Sequence, residues 1–361
     1  MVKEYKCPNC GGAVKFDSSS QKMKCPFCDT EFEIEALEEY QKEVTTEKDD
    51  NYTWSEESEG NEWEAGELDC LTTGSCPSCG AELIGDNNTV AMVCPNCGNT
   101  QIVRQRLQGM LKPNYVIPFK LEKKSATEAL KNFYLKKRLL PNYFKKENHV
   151  NSIQGVYVPF WLFDARANAH ICYKATKIKV WSDSNYNYTK IDHYSIIRDG
   201  NMSFEKIPVD GSEKMDDAYM DSIEPFDYAQ IKDFQTAYLS GYIAEKYDVD
   251  AEKSKERANG RIKKSIEDEF AKTVTGYSSV KVESSQVNVD DGHINYALFP
   301  IWVLNTKYRK EKYQFIMNGQ TGLLAGKLPI DSGKVWSYRL LFAGVIGTVA
   351  TLITQALRIF L

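Results

Sequence analysis

Histidine and the common catalytic motifs are scarce in this chain of 361 residues. Its four histidines include no pair one helical turn apart, the spacing that helical metalloprotease sites use. A phosphate-binding loop needs two spaced glycines followed by lysine and a hydroxyl residue, whereas Gly326 and Lys327 are followed by leucine. We therefore predict no catalytic residue and no site for an organic cofactor, and we expect a protein that is not an enzyme.

One pair of residues has the spacing of a nucleophile and its base. His170 and Cys172 are two positions apart and would share one face of a strand. No third group that would orient them accompanies the pair, so two satisfied structural side chains are the favoured interpretation.

A cleavable secretory leader is also missing. Met1 is followed by Val-Lys-Glu-Tyr-Lys, which runs directly into the first cysteine motif. Thiols that serve as metal ligands need a reducing compartment. The cysteine-rich part is therefore expected to face the cytosol.

Cysteine is concentrated in two copies of one motif. Eight of the ten cysteines form C-x-x-C pairs, and in each copy fourteen residues separate the two pairs. The copies are Cys7, Cys10, Cys25 and Cys28, then Cys76, Cys79, Cys94 and Cys97. A tight turn aims two thiolates at one point, and a hairpin-length insert brings the second pair round to complete a tetrahedron. This spacing predicts two zinc ribbons with two structural zinc ions. Redox C-x-x-C motifs are the disfavoured alternative, because they are expected singly beside a βαβ unit.

The two copies also match outside their cysteines. A shift of 69 residues superposes Asp17 on Asp86 and Met23 on Met92, which indicates an internal duplication. A site closed by four cysteines has no open position for water or substrate, so its metal is predicted to be structural. The two remaining cysteines, Cys70 and Cys172, are predicted to be dispensable for metal binding.

Between the ribbons the sequence is acidic and almost free of aliphatic residues. Residues 36–69 carry thirteen acidic side chains against two lysines, a net charge of −11, although the whole chain carries only −5. We predict ribbon 1 at 1–35, a linker or weakly ordered arm at 36–69, and ribbon 2 at 70–106. Trp54 and Trp63 in the arm are expected either to dock on a neighbouring surface or to stay half-exposed in a loose hairpin.

Residues 107–334 have the pattern of an α+β domain. Residues 158–163 (VPFWLF) are echoed by 299–304 (FPIWVL), with 116–119 (VIPF) as a weaker third instance. Each predicts a strand that starts at a proline and is buried on both faces, and together they predict two related β units. After a predicted strand at 306–317, Asn-Gly predicts a two-residue hairpin turn.

Three helices are predicted in the same domain. Ser125 is followed three residues later by glutamate, which has the form of a capping box and predicts a helix to about Arg138. Residues 227–246 and 251–274 have helical patterns as well. The first helix lies in a basic segment, residues 120–146, which could meet anionic lipid, nucleic acid or the acidic arm, or could simply be solvated.

The long apolar run of the chain is at its C-terminal end. Residues 340–357 contain no charge and, as a helix, would span about 27 Å, close to the thickness of a hydrocarbon core. Trp336, Tyr338 and Arg339 precede it and fit an interfacial belt. We predict a transmembrane anchor at 335–361, with the bulk of the chain on the cytosolic side of the cell membrane.

Small and polar side chains recur every four residues along this anchor. Ala343, Gly347, Thr351 and Gln355 would form one stripe on the helix. Such a stripe favours close packing with a second copy or with a partner's helix, but it is also what a helix merely rich in small residues shows.

Several short motifs in the sequence resemble motifs of one bacterial family. They are CPSCG at 76–80, VIPF at 116–119, the LP pair at 140–141 with Phe144, YVPFW at 157–161, YLSG at 238–241 and MNGQTG at 317–322. Taken together they resemble the TFIIB-type zinc-ribbon-containing membrane proteins. Members of that family often occur beside phage-shock-protein-A-like and SPFH-type proteins. The resemblance implies zinc binding, membrane association and a role in envelope stress, and it supplies no reaction.

Functions of three classes are open at this point. The favoured one is a non-enzymatic, membrane-anchored cytosolic adapter or scaffold in a membrane or envelope stress complex. The alternative is a membrane-tethered nucleic-acid-binding protein, for which some positive charge is available. That charge comes from Lys15, Lys22, Lys24, Arg104 and Arg106. The acidic arm disfavours this alternative because it would repel a phosphate backbone. A thiol oxidoreductase would require a C-x-x-C pair free of metal.

Overall fold

The computed structural model describes residues 5–45, 49–55, 60–64, 66–67, 71–85, 93–105, 110–145, 152–309 and 311–360. Helices and strands are mixed along the chain, so the predicted α+β class is confirmed. The chain divides into two compact units, each assembled from three separate segments. Unit 1 comprises Met1–Glu57, Phe163–Ile207 and Lys255–Ile294, and unit 2 comprises Ser58–Leu162, Pro208–Ser254 and Asn295–Leu361.

The described elements are fifteen strands, five α-helices and three short 3₁₀ helices. The strands are β1 (Lys15–Asp17), β2 (Lys22–Lys24), β3 (Glu31–Phe32), β4 (Asn51–Trp54), β5 (Thr72–Ser75), β6 (Glu82–Gly85), β7 (Val103–Gln105), β8 (Tyr115–Val116), β9 (Gln154–Ser182), β10 (Asn187–Asp210), β11 (Lys232–Asp233), β12 (Ile243–Glu245), β13 (Ser279–Tyr308), β14 (Glu311–Asn318) and β15 (Leu324–Gly326). The α-helices are α1 (Ile34–Thr45), α2 (Lys123–Lys136), α3 (Asp217–Ser222), α4 (Ala251–Lys272) and α5 (Ser332–Phe360). Strands β9, β10 and β13 contribute residues to both units.

Unit 1 contains an antiparallel sheet of β1, β2 and β3, followed by α1. Its core lies where α4 covers β9 and β13, and Ile262 and Ile266 of the helix are buried there with Ile171 and Val287 of the strands. Along β9, buried alanines at 165, 167 and 169 alternate with exposed residues, the pattern of a strand with one solvated face.

Unit 2 is built on a larger sheet. Its path runs β11-β8-β13-β9-β12-β6-β5-β7, and β14 and β15 extend it from β13. Ile301 and Val303 belong to the core on one face, whereas Trp302 and Leu304 belong to the core that contains α2. The predicted burial of this apolar run on both faces is therefore confirmed.

The predicted proline-led strand starts are wrong. Pro159 and Pro300 lie inside β9 and β13, and Pro118 follows β8. Proline has no N–H to give to a strand ladder. At both interior positions the proline carbonyl still accepts a hydrogen bond from the glycine that follows a strand, from Gly211 after β10 at 2.9 Å and from Gly319 after β14 at 2.8 Å. The predicted duplication of the β units stays a prediction.

The predicted helix at 227–246 is also wrong. Two short 3₁₀ turns, Tyr228–Gln230 and Thr236–Leu239, and the strands β11 and β12 occupy this stretch. All three residues of β12 are buried, and β12 pairs in parallel with β9 and antiparallel with β6. Sheet pairing in the interior satisfies their backbone groups and so overrides local helix propensity. The third predicted helix is confirmed as α4.

Two predicted signals at element ends are wrong as well. Ser125 does not cap α2, because the helix begins at Lys123 and its N-cap, Glu122, makes no side-chain capping bond. The predicted strand at 306–317 is divided between β13 and β14. Strand β14 ends at Asn318, where the turn was predicted. The turn is longer than two residues, since the Asn318 N–H donates to the Leu323 carbonyl at 2.8 Å. The buried Asn318 side chain fixes this loop by accepting from two of its N–H groups.

The predicted acidic arm is not a featureless linker in its described part. It holds most of α1 and also β4, which pairs in parallel with β13. The Trp54 indole donates to the Asn259 side chain at 3.0 Å, and the Trp63 indole donates to the Met110 carbonyl at 2.9 Å. Both tryptophans are half-buried. Docking on a neighbouring surface, one of the two expectations for these tryptophans, is therefore confirmed.

Helix α5 is apolar and exposed. Asp331 caps its first turn, because the Asp331 carboxylate accepts the Gly333 N–H at 3.0 Å. In the described residues, Ser332–Gln355 is the one stretch long and apolar enough to cross a membrane, and none of it is buried. A core helix of a soluble protein would bury such a stretch. The Thr351 hydroxyl of the predicted stripe donates within the helix to the Gly347 carbonyl at 3.1 Å.

Candidate metal centres

Each cysteine pair lies in a turn of the same form. Cluster 1 consists of Cys7, Cys10, Cys25 and Cys28, and cluster 2 consists of Cys76, Cys79, Cys94 and Cys97. In all four turns the first cysteine accepts, at its carbonyl, the N–H of the residue four positions on, at 2.8–2.9 Å. That residue has a positive φ: it is glycine in three turns and Asp29, with φ 57°, in the fourth. The turn directs both thiols of a pair toward the same point.

The sulfur positions fit a tetrahedral metal ion. In each cluster the four Sγ atoms lie within 4.8 Å of one another. The Sγ–Sγ distances between the two turns are 3.6 Å for Cys7–Cys28 and 3.4 Å for Cys10–Cys25 in cluster 1, and 3.5 Å for Cys76–Cys97 and 3.6 Å for Cys79–Cys94 in cluster 2. A tetrahedral ion with metal–sulfur bonds of about 2.3 Å places its ligands about 3.8 Å apart, whereas a disulfide would need about 2.0 Å. Both clusters could therefore hold one metal ion each.

The environment of cluster 1 favours a thiolate at one of its exposed ligands. The Thr30 hydroxyl lies 3.2 Å from the Cys28 sulfur. Hydrogen bonds from the Thr30 side chain and backbone lower the pKa of Cys28 to about 6. Cys7 is buried instead, and burial raises the pKa of its thiol to about 12. Binding a cation at cluster 1 would stabilise the thiolate form of both.

Cluster 2 is set deeper. Burial acts to raise the pKa of Cys76, but hydrogen bonds from the backbone of Ser78 and Cys79 and from the thiols of Cys97 and Cys79 together lower the pKa to about 7. Cys76 and Cys94 pack in one buried apolar cluster with Leu83 of β6 and Ile243 of β12.

The second turn of cluster 2 is tied to the body of unit 2 by polar contacts. The Asn96 side chain donates to the Glu245 carboxyl at 2.7 Å. The Pro95 carbonyl accepts from the Asn305 side chain. Glu245 is fully buried, and burial raises its pKa to about 7 although the hydrogen bond from Asn96 opposes the shift. Local sequence gave no signal for these contacts, because their partners are more than 140 residues apart.

The remaining residues singled out in the sequence lie apart from these clusters or outside the described residues. Cys70, Asp86 and Met92 lie outside the described residues, so the match between the two copies is not visible there. His170 is paired with Asp199, and Cys172 lies 3.1 Å from the Ser195 hydroxyl. Asp199 is therefore a group that can orient His170, which the sequence did not reveal.

A cavity beside cluster 1 was not expected from the sequence. It measures about 110 Å³ and is lined by Phe32, Leu37, Tyr40, Lys174 and Glu283. The Tyr40 hydroxyl donates to the Glu283 carboxylate at 2.5 Å, and Lys174 donates to the carbonyl of Pro8. These two contacts connect α1 and the first cysteine turn to the long strands of unit 1. The polar residues involved carry no sequence motif that could have revealed them.

Fold and site together define a class: an α+β protein with two four-cysteine clusters that could hold metal and a C-terminal helix able to cross a membrane. The chain is 36% identical over 347 residues to a protein of Bacillus subtilis (strain 168) with the name uncharacterized protein YdjG. The match covers 96% of this chain and 95% of that protein. The chain therefore belongs to the YdjG family. No protein-family model matches it, and no solved structure does.

Proposed function

We propose that this protein is a zinc-binding adapter that is anchored in the cell membrane by α5 and that presents protein-binding surfaces on the cytosolic side. It is not an enzyme in this proposal, and its partners are proteins of a membrane or envelope stress complex, of the phage-shock-protein-A-like or SPFH type. The observation that carries the adapter role is an exposed apolar surface at the end of the β9–β10 hairpin.

Two structural zinc ions complete the proposal at the cysteine clusters. Four thiolates in a tetrahedron are the donor set that zinc and iron–sulfur centres use, and zinc needs no redox partner. Each ion would be enclosed by protein sulfur, so its contribution is to hold the turns together. Metal analysis of protein purified under reducing conditions is expected to give two zinc ions per chain. Iron, or fewer than two ions, would contradict the proposal.

Anchoring through α5 is supported by its exposed apolar side chains. They include Leu340, Leu341, Phe342, Val345, Ile346, Val349, Leu352 and Ile353. Leaving so much apolar surface in water is unfavourable by about 25 cal/mol per Å², whereas a bilayer would cover it. Deletion of residues 335–361 is expected to move the chain from the membrane fraction to the soluble fraction. A truncated chain that still sediments with membranes after a high-salt wash would contradict anchoring by α5.

The end of the β9–β10 hairpin is ordered and apolar. The Asp183 carboxylate accepts the N–H groups of Asn185 and Tyr186 and the Tyr188 hydroxyl, and these bonds lower the pKa of Asp183. Trp181 stacks on Tyr188 with ring centroids 5.5 Å apart. Other large apolar side chains exposed along the hairpin are Ile178, Val180, Tyr186 and Ile191. Exposed aromatic clusters on a rigid element are typical of protein-binding sites.

A capture experiment tests the adapter role. The detergent-solubilised full chain would be isolated with its bound proteins, as wild type and as the Trp181→Ser, Tyr186→Ser variant. We expect the co-purifying chains to be lost from the variant, because buried aromatic side chains provide most of the energy of such interfaces. Val103→Ser is the control, since Val103 is an exposed apolar residue on β7 and is not part of the hairpin. Loss in the control as well, or the same chains with all three proteins, would contradict the assignment.

The nucleic-acid alternative is disfavoured by ion pairs at cluster 1. Lys22 pairs with Glu33 at 2.7 Å, and Lys24 lies 3.8 Å from both Asp29 and Glu31. These lysines already have acidic neighbours, which reduces the positive potential that a phosphate backbone would meet. Binding to duplex DNA and to RNA across a range of salt decides between the two functions. Tight binding that weakens steeply with salt would favour the alternative.

A further inference from the structure

A basic cavity lies in unit 2 between the end of α2 and the start of α5. Its volume is about 340 Å³. Three consecutive cations and a set of apolar side chains line it. They are Lys136, Lys137, Arg138, Leu139, Leu328 and Ile330. We refer to this surface as the basic cavity.

Backbone and side-chain contacts fix the basic cavity to the start of α5. The Asp331 N–H donates to the Leu139 carbonyl at 2.9 Å. The Lys334 ammonium donates to the Leu140 carbonyl at 2.7 Å and to the Asn142 side chain at 2.8 Å. Asp331 is also the residue that caps α5, so the α5 cap is bonded directly to Leu139 of the cavity lining. The cavity must therefore lie where α5 emerges from unit 2.

The three cations are exposed and lack acidic partners within the described residues. Lys136 and Arg138 form no ion pair there, and Lys137 lies over the Phe133 ring, with its nitrogen 5.0 Å from the centroid. Three adjacent positive charges repel one another unless an anion lies between them. The cavity thus has an unbalanced positive charge available for an external anion.

Exposed apolar side chains accompany these charges. Ile330 is 64% exposed and Leu139 is 36% exposed. Cations beside exposed aliphatic groups are the combination found where proteins contact the headgroup layer of a membrane. A site for a free phosphate in water would not need the aliphatic groups.

The distance from the basic cavity to the bilayer is also short enough for attraction between the cavity and lipid headgroups. Leu340, where the uncharged run begins, lies nine positions after Asp331, which corresponds to about 13 Å of helix. The headgroup layer occupies roughly 6 Å of that distance. The remaining gap of about 7 Å is shorter than the Debye length of about 8 Å at physiological ionic strength. Over that gap, screening leaves roughly 40% of the attraction between anionic headgroups and the cavity.

We propose that the basic cavity binds the headgroups of anionic phospholipids in the leaflet that α5 enters. This inference rests on the proposed membrane anchoring, and it adds a lipid specificity that a passive anchor would not have. Lipid binding here would hold unit 2 against the membrane surface and so limit its orientations.

The test uses the full chain in lipid nanodiscs, made either of phosphatidylcholine alone or of an equimolar mixture with phosphatidylglycerol. Hydrogen–deuterium exchange reports on residues 136–140 and 328–331. We expect exchange to be about fivefold slower or more in the anionic discs, because one positive charge near such a surface contributes about that factor. High salt should remove the difference.

Two charge-matched variants make the test specific. Lys136→Gln, Lys137→Gln, Arg138→Gln should remove the lipid effect while exchange in phosphatidylcholine discs stays as in the wild type. Lys120→Gln, Lys123→Gln, Lys124→Gln removes the same charge at the other end of α2, about 20 Å away, and should keep the effect. These three control lysines are exposed as well.

The outcomes separate the site from the anchor. A chain that enters the discs but exchanges alike in both lipids overturns the basic cavity and leaves the anchor intact. Equal loss in the two variants also overturns it, since the effect would then belong to the overall charge. Slowing by added RNA or DNA in phosphatidylcholine discs would assign the cavity to nucleic acid instead. A chain that fails to enter the discs overturns the anchor and this inference together.

Discussion

The two cysteine clusters share one ligand spacing and one turn geometry, yet they are embedded differently. In cluster 1, Cys10 and Cys28 are exposed, and the strands around it form a separate three-stranded sheet. Its apolar support is a small group that includes Val14 and Leu37. In cluster 2, Cys79 and Cys97 are half-buried, and the surrounding strands β5, β6 and β7 are the edge of the large sheet of unit 2.

The comparison shows that cysteine spacing determines how the ligands are arranged, but not which strands a bound metal would hold together. A metal in cluster 1 would order β1, β2 and β3 together with the turns they connect. A metal in cluster 2 would also hold β6 against β12, and through Asn96 it would position a buried carboxyl. The same chemistry would therefore stabilise a separate three-stranded sheet in one unit and part of the large sheet in the other.

Replacing one buried ligand in each cluster should produce the largest contrast. Cys25→Ser and Cys94→Ser are each expected to lose one of two metal ions, and a structural zinc site contributes about 10 to 16 kcal/mol. We expect Cys25→Ser to expose only β1–β3 and α1 to hydrogen exchange. Cys94→Ser should expose β5–β7 and β12 as well, because Ile243 and Leu83 would lose their packing partner. Exchange changes of equal extent in the two variants would remove the distinction.

The second-largest effect is expected on the pH dependence of stability, through the buried Glu245 carboxyl near cluster 2. The pKa of Glu245 is raised by burial from 4.5 to about 7. The unfolded chain ionises this group above about pH 4.5, whereas the folded chain keeps it protonated until about pH 7, so stability falls as pH rises through that window. The loss is about 3 kcal/mol once pH exceeds 7. Glu245→Gln cannot titrate and should lose less stability than the wild type between about pH 5 and pH 8.

Denaturant unfolding in detergent at the two pH values measures this difference. Bound metal contributes to the free energy of unfolding of both the wild type and Glu245→Gln, so its contribution cancels in the comparison. Glu82→Gln is the control, since Glu82 is an exposed carboxylate on β6 that pairs with Lys246 at 2.7 Å. A wild-type stability that does not fall relative to Glu245→Gln would show that the carboxyl is not held in its neutral form.

Metal release should be faster from cluster 1. Two of its ligands are exposed to an incoming chelator, whereas cluster 2 offers none that is fully exposed. We expect a rate difference of about tenfold, which corresponds to about 1.4 kcal/mol in the barrier. A chromogenic chelator would follow the release, with Cys94→Ser as the source of protein that retains only cluster 1 and Cys25→Ser as the source of protein that retains only cluster 2. Equal rates would mean that exposure of the ligands does not control release.

The smallest effect is expected at the cysteines outside the clusters. Cys172→Ser should keep both metal ions and lose about 1 kcal/mol of stability, because a hydroxyl would replace a buried thiol beside Ser195. Cys70→Ser should keep both ions too. Metal analysis and thermal unfolding of the two variants check this. Loss of an ion from either variant would mean that a ligand has been assigned to the wrong residue.

Features that depend on neighbouring residues could be predicted well. The cysteine spacing identified both clusters, since a two-residue gap and a hairpin-length insert leave the thiols few other arrangements. The uncharged run identified α5, and the pattern from Ala251 identified α4. The prediction was wrong where a strand forms because of its pairing partners. Residues 227–246 were predicted to be a helix, but β12 forms there because β6 and β9 lie on either side of it.

By itself, the sequence determined two four-cysteine clusters, the α+β class and a helix apolar enough for a membrane, because each follows from short-range spacing or composition. Tertiary structure alone decided which unit each cluster belongs to, how deeply its ligands are buried, and that Glu245 lies beside Asn96. It also decided that the cations after α2 line a cavity with the residues that precede α5. These relations join residues far apart in the chain, and they depend on strand pairing and packing that no local pattern encodes.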